Sequence, residues 1–116
     1  MKTLLCCAIC AMCLGNALAY VGSDYLKGCQ KYLADNEGSL EDGVCMGYPR
    51  GVIEADQNWH QMIGPQTFCL PDGANPDQFV RVAVKYLEDN PAQLHYNAAF
   101  SIHLALREAF PCEEGD

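Results

Sequence analysis

Little in this sequence is equipped to run a reaction. It has no G-x-S-x-G elbow to hold an activated serine, no glycine-rich phosphate cradle ahead of a helix and no calcium loop. Histidine is scarce, with only His60, His95 and His103 in the whole chain. A zinc-binding helix needs two histidines four apart on one face. His95 and His103 are eight apart, displaced by close to a quarter turn, so they read as polar residues on a surface or groove edge. Ser101 and His103 are two apart on a helix and point different ways. No catalytic residue, metal or cofactor is assigned, and the chain is not expected to be an enzyme.

Basic charge is the next shortage. The 116 residues carry 7 Lys and Arg against 15 Asp and Glu, a formal charge of −8. That excludes nucleic acid and anionic membranes as well-matched partners. A basic protein surface suits it better, although an acidic surface also serves solubility alone. No apolar run is long enough to span a membrane, so no membrane insertion is expected. The run from Leu4 to Leu14 follows Lys2 and precedes Ala17-Leu18-Ala19, the pattern of a secretory signal peptide over residues 1–19, cleaved after Ala19. Met12 before Cys13 and Ile9 before Cys10 are poor contexts for a lipid anchor. Loss of the leader removes Lys2 and leaves the mature chain at −9.

Strand alternation is also missing, as are long internal repeats and any sign of a second domain. Residues 20–116 therefore read as one all-α domain, four or five short helices around one core. The leader takes Cys6, Cys7, Cys10 and Cys13 with it, leaving Cys29, Cys45, Cys69 and Cys112. An even number in an exported chain implies two disulfides, with three possible connectivities.

What is present is helical punctuation. Tyr25, Leu26, Cys29, Tyr32 and Leu33 share one face of a first helix that Asn36-Glu37-Gly38 ends. Ser39 caps a longer second segment, whose apolar positions Leu40, Val44, Tyr48, Val52, Ala55, Trp59 and Met62 form an expected core-facing stripe. Trp59 is therefore read as a core anchor. Pro49 cannot donate to the Cys45 carbonyl, which predicts a kink or short break near Gly47-Tyr48-Pro49. Gly64 to Asn75 is a non-periodic connection containing the turn sequence Pro71-Asp72-Gly73.

Two similar devices, Asn75-Pro76-Asp77-Gln78 and Asn90-Pro91-Ala92-Gln93, predict helix starts, giving helices over 76–89 and 91–109. These two should fold back as an antiparallel hairpin, whose open end is flanked by Cys69 and Cys112. The short connection after the first helix brings Cys29 near Cys45. The expected pairs are therefore Cys29–Cys45 and Cys69–Cys112, stabilising by roughly 3 and 4 kcal/mol in the chain-entropy model. The polar loop Pro71, Asp72, Gly73 and Asn75, with Asp77 beyond it, is held by a disulfide, and it is the candidate partner-binding surface.

Four segments carry a family resemblance: C-M-G-Y-P-R-G-V from Cys45 to Val52, F-C-L-P-D-G at 68–73, Q-F-V-R-V-A-V-K-Y-L-E-D-N-P at 78–91 and A-L-R-E-A-F-P-C at 105–112. Together they resemble the Rap/Tai immunity proteins associated with type VI secretion. The resemblance implies a periplasmic homodimer that binds a secreted peptidoglycan amidase effector and occludes its active-site cleft. A stapled, acidic, non-catalytic module suits that role, because occlusion needs rigidity more than reactive groups. Two other readings stand beside it. One is a periplasmic stress or holdase-type chaperone, which would become monomeric and expose apolar surface as its carboxylates are protonated. The other is an orphan helical binding domain.

Overall fold

The computed structural model describes residues 20–35 and 37–113. The expected leader over 1–19 and residues 114–116 lie outside them. The described chain holds helices α1 (Gly22–Ala34), α2 (Leu40–Met62), α3 (Pro76–Asp89) and α4 (Ala98–Ala109), with a 3-10 turn at Pro91–Gln93 before α4. Every pair of these four helices is in contact, so one core serves them all. Both expected disulfides are formed, Cys29–Cys45 with Cα atoms 5.5 Å apart and Cys69–Cys112 with Cα atoms 4.9 Å apart.

Helix α1 starts without a side-chain cap of its own, since Val21 precedes it. The Asp24 carboxylate reaches back to accept from the Val21 N–H at 3.2 Å. The next two free donors find partners far along the chain: Gly22 N–H donates to the Tyr96 carbonyl and Ser23 N–H to the Leu94 carbonyl, each at 2.9 Å. Ala98 N–H returns a bond to the Tyr20 carbonyl at 3.0 Å. Gly22 suits this junction because a Cβ there would stand 2.8 Å from Leu87 Cδ2 and 3.3 Å from the Leu94 carbonyl oxygen. Tyr25, Cys29 and Tyr32 face inward, as their spacing predicts.

Helix α2 opens with a reciprocal cap: Asp42 N–H donates to Ser39 Oγ at 3.2 Å, and Ser39 N–H donates to the Asp42 carboxylate at 2.8 Å. The expected break at Pro49 does not occur, and α2 runs uninterrupted through it. The reason lies on α1. The Cys45 carbonyl, which Pro49 cannot satisfy, accepts from the Tyr25 hydroxyl at 2.8 Å. Tyr25 is fully buried at 0% exposure, and burial pushes its phenol pKa above the ordinary tyrosine range.

The expected core stripe of α2 is also corrected. The buried line is Asp42, Cys45, Pro49, Ile53 and Asp56. Val44, Tyr48 and Val52 are only half-buried, Ala55 is exposed, and Leu40, Trp59 and Met62 stand 89%, 48% and 78% exposed. The Cys29–Cys45 bond and the Tyr25 bond to Cys45 turn residue 45 toward α1, which carries the 45–49–53 line inward and leaves the neighbouring line at the edge.

The C-terminal hairpin forms with one boundary moved. Asn75 caps α3 as expected, accepting from Gln78 N–H at 3.0 Å with Pro76 at the first helical position. Asn90 does not start α4. Its side-chain amide turns back to donate to the Tyr86 carbonyl at 2.8 Å, and Tyr86 OH donates to Gln93 Oε1 at 2.7 Å. The cap of α4 is Asn97, whose Oδ1 accepts from Ala99 N–H at 2.9 Å and Phe100 N–H at 3.4 Å. The two helices run antiparallel: Phe79 meets Phe110 at one end, rings 6.2 Å apart, while Leu87 and Ser101 both meet Gly22 at the other. Phe79, Val80, Ala83, Val84 and Leu87 pack against Ala98, Ile102, Ala105 and Leu106. Each large apolar side chain buried there is worth roughly 1.5–3 kcal/mol over exposure.

Candidate partner-binding surface

The loop between α2 and α3 is tied down at four points before it reaches the surface. Thr67 donates from both its N–H and its hydroxyl to the buried Asp56 carboxylate. Phe68, 1% exposed, plugs the core edge-on to His103 with ring centroids 5.7 Å apart. Cys69 is bonded to Cys112, and its N–H donates to the Phe110 carbonyl at 2.9 Å. Beyond these anchors Pro71, Asp72 and Gly73 are exposed. The tip is a turn closed by Ala74 N–H donating to the Pro71 carbonyl at 3.2 Å, with Gly73 at φ +83°, a conformation that favours glycine.

The five candidate residues thus divide by job. Pro71, Asp72 and Gly73 form the free tip. Asn75 is exposed, but its side-chain oxygen is spent on capping α3. Asp77 accepts from Arg81 Nε at 2.9 Å and from the Tyr32 hydroxyl at 3.4 Å, so it is already engaged within the chain. Burial raises the Tyr32 phenol pKa, and the Asp77 charge raises it further.

Two surface features escaped sequence reasoning. One is a cleft of about 620 Å³ between α2 and the loop, with Met46, Ile53, Leu70, Ala74 and Phe79 on its apolar walls and Arg50 and Glu54 at its rim. Arg50 and Glu54 pair with each other at 3.1 Å, both well exposed, so that ion pair adds little stability. The other is a groove between α2 and α4, where Tyr48, Val52, Ala55 and Trp59 oppose Ala99 and His103. Trp59 was expected in the core and instead lies half-exposed on this groove. The α2 periodicity signals an apolar face but not whether that face meets the core or a groove.

The histidines do not converge. His60 Nδ1 lies 3.1 Å from the Gly64 carbonyl, His95 stacks edge-on against Tyr96, and His103 meets Phe68. Among the described residues no group of His, Cys, Asp and Glu is placed to hold a metal, and no helix is long and apolar enough to cross a membrane.

A small helical bundle with two disulfides, an acidic balance and a rigidly presented loop has the build of a binding protein. A family model described as Rap1a immunity proteins matches residues 21–112, which places the start of the match at the N-cap of α1 and its end at the last disulfide cysteine. The chain belongs to the Rap1a immunity protein family. Membership points to an immunity protein directed against secreted effectors, a class that acts by binding, and the two disulfides fit an exported protein. No curated protein and no solved structure matches the chain.

Proposed function

We propose that this chain is a periplasmic immunity protein that binds a type VI secreted peptidoglycan amidase effector and occludes its active-site cleft, as a homodimer released from its leader after Ala19. The observation that carries this reading is the family match over residues 21–112. The structure supports it in kind. The exposed Pro71-Asp72-Gly73 tip is held by a disulfide, a buried phenylalanine and a threonine–aspartate pair, so little ordering entropy is lost when a partner closes on it. The mature charge favours a basic rim around the effector's cleft. The protein has no catalytic step of its own in this account.

The test is inhibition of candidate cell-wall amidases by the oxidised, exported protein. Asp72→Lys should weaken inhibition of the cognate enzyme by about tenfold or more, mainly by reversing a charge on the tip. Asp77→Asn should have a smaller effect, since that carboxylate is already engaged. Full inhibition by Asp72→Lys would remove the tip from the interface. Absence of inhibition of any amidase by the wild type would remove the amidase.

A further inference from the structure

We infer that Cys69–Cys112 is a thiol-exchange site, opened and closed in the folded protein by thiols and dithiols that carry no negative charge, whereas Cys29–Cys45 is a permanent staple. The two disulfides differ in burial. Cys29 and Cys45 are both 0% exposed, shut between α1 and α2 with the Tyr25 hydroxyl on the Cys45 carbonyl. Cys69 and Cys112 are only half-buried, and they join a surface loop to the chain beyond α4. A disulfide exchanges when a thiolate reaches one of its sulfurs, so the outer bond reacts in the native fold and the inner one waits for unfolding. This chemistry is independent of what the tip binds.

The surroundings of the two outer cysteines select the sulfur attacked. Cys69 lies between Phe68, which plugs the core, and half-buried Leu70. Cys112 lies between Pro111 and Glu113, both exposed. Charge points the same way. Negative charge on a departing Cys112 sulfur would form next to Glu113 and 3.9 Å from the Gln66 carbonyl oxygen. Attack therefore falls on Cys112: the incoming thiolate bonds to its Sγ, the S–S bond breaks, and the electron pair leaves on the Cys69 sulfur, which takes a proton from water. A second thiolate of the reductant then attacks the mixed disulfide. The Cys112 thiolate is freed and protonated, and the reductant departs as its own disulfide. Glu113, Glu114 and Asp116 follow Cys112 in sequence, and their charge disfavours anionic thiols.

The bond is also placed to reclose. Phe110, two residues before Cys112, packs against Phe79, and its carbonyl accepts from Cys69 N–H at 2.9 Å. These contacts keep the two cysteines within reach of each other without locking them. Opening the bond loosens the root of the Pro71-Asp72-Gly73 tip from the chain end, while Phe68 stays in the core and Cys29–Cys45 stays closed.

The test treats the oxidised, exported protein with dithiothreitol in the absence of denaturant, alkylates it at intervals with N-ethylmaleimide and maps the labels by peptide mass. Cys69 and Cys112 should be labelled at least tenfold faster than Cys29 and Cys45, with helicity retained. Cysteamine should leave its adduct on Cys112 and a free thiol on Cys69, and should react several-fold faster per thiolate than mercaptoacetate at low salt. In the opened form, exchange of the Cys69 amide should accelerate at least tenfold relative to the amides of α1. Labelling of all four cysteines together, or of neither pair until urea is added, would overturn the exchange site. An adduct on Cys69 would overturn the direction of attack, equal rates for the two thiols the charge preference, and an unchanged Cys69 amide the loosening of the tip.

Discussion

Tyr25 is what lets Pro49 remain inside an unbroken helix. Proline removes one donor from α2, and the orphaned carbonyl belongs to Cys45, a fully buried residue. The phenol hydroxyl supplies the missing bond at 2.8 Å. Tyr25→Phe should therefore cost about 1–3 kcal/mol, the penalty for a buried acceptor left unpaired. In a Pro49→Ala background the helix regains its own N–H toward Cys45, and the cost of Tyr25→Phe should shrink by roughly 1 kcal/mol. Urea unfolding of the four proteins in this cycle measures the coupling, and strict additivity would show that the two residues do not share the carbonyl. Ser101 offers a contrast at the same scale. Its hydroxyl is fully buried beside Gly22 and has no hydrogen-bond partner among the described residues, and nothing in the structure explains it.

Among the elements, the start of α4 is the informative boundary. Asn90-Pro91-Ala92-Gln93 has the chemistry of a helix start, yet it makes only a short 3-10 turn, because Asn90 bonds backward to Tyr86 and Gln93 accepts from the Tyr86 hydroxyl. The connection that follows is occupied with α1, whose uncapped N–H groups take the Leu94 and Tyr96 carbonyls. Because Asn97 caps α4, Asn97→Ala should lower stability by about 1 kcal/mol, read by urea unfolding. The amides of Gly22 and Ser23 should exchange as slowly as core amides in native-state hydrogen exchange, unlike the first turn of a solvent-capped helix. Fast exchange there would show that the junction opens independently of the bundle.

For the whole molecule, burial raises several phenols together. Tyr25, Tyr32, Tyr20 and Tyr86 all have pKa values moved upward, with desolvation the largest cause in each. The folded chain therefore holds these protons to higher pH than the unfolded chain, whose tyrosines ionise near about 10. The stability this represents is fully present below that value and is lost as pH rises through and above it. Urea unfolding at a series of alkaline pH values should show a plateau to about pH 9 and a decline above about pH 10, with Tyr25→Phe shallower than wild type. A decline of equal slope in the variant would mean that Tyr25 does not contribute to it.

Much of this protein was legible in the chain itself. Local chemistry placed Ser39 and Asn75 as caps, Gly73 in a turn and the two disulfides, because caps and turns are short-range bonds and a hairpin dictates which cysteines meet. The exposed tip at Pro71-Asp72-Gly73 followed for the same reason. What only tertiary structure decided was which line of α2 faces inward and where α4 begins. Hydrophobic spacing identifies an apolar face but not the neighbour that covers it, and the residues that settled both questions act across long stretches of chain: Tyr25 and Cys29 on Cys45, and the carbonyls of Leu94 and Tyr96 on the first turn of α1. Satisfying those distant groups outweighed the local preferences of Pro49 and Asn90, because a buried backbone group without a partner costs more than a helix start moved by two turns.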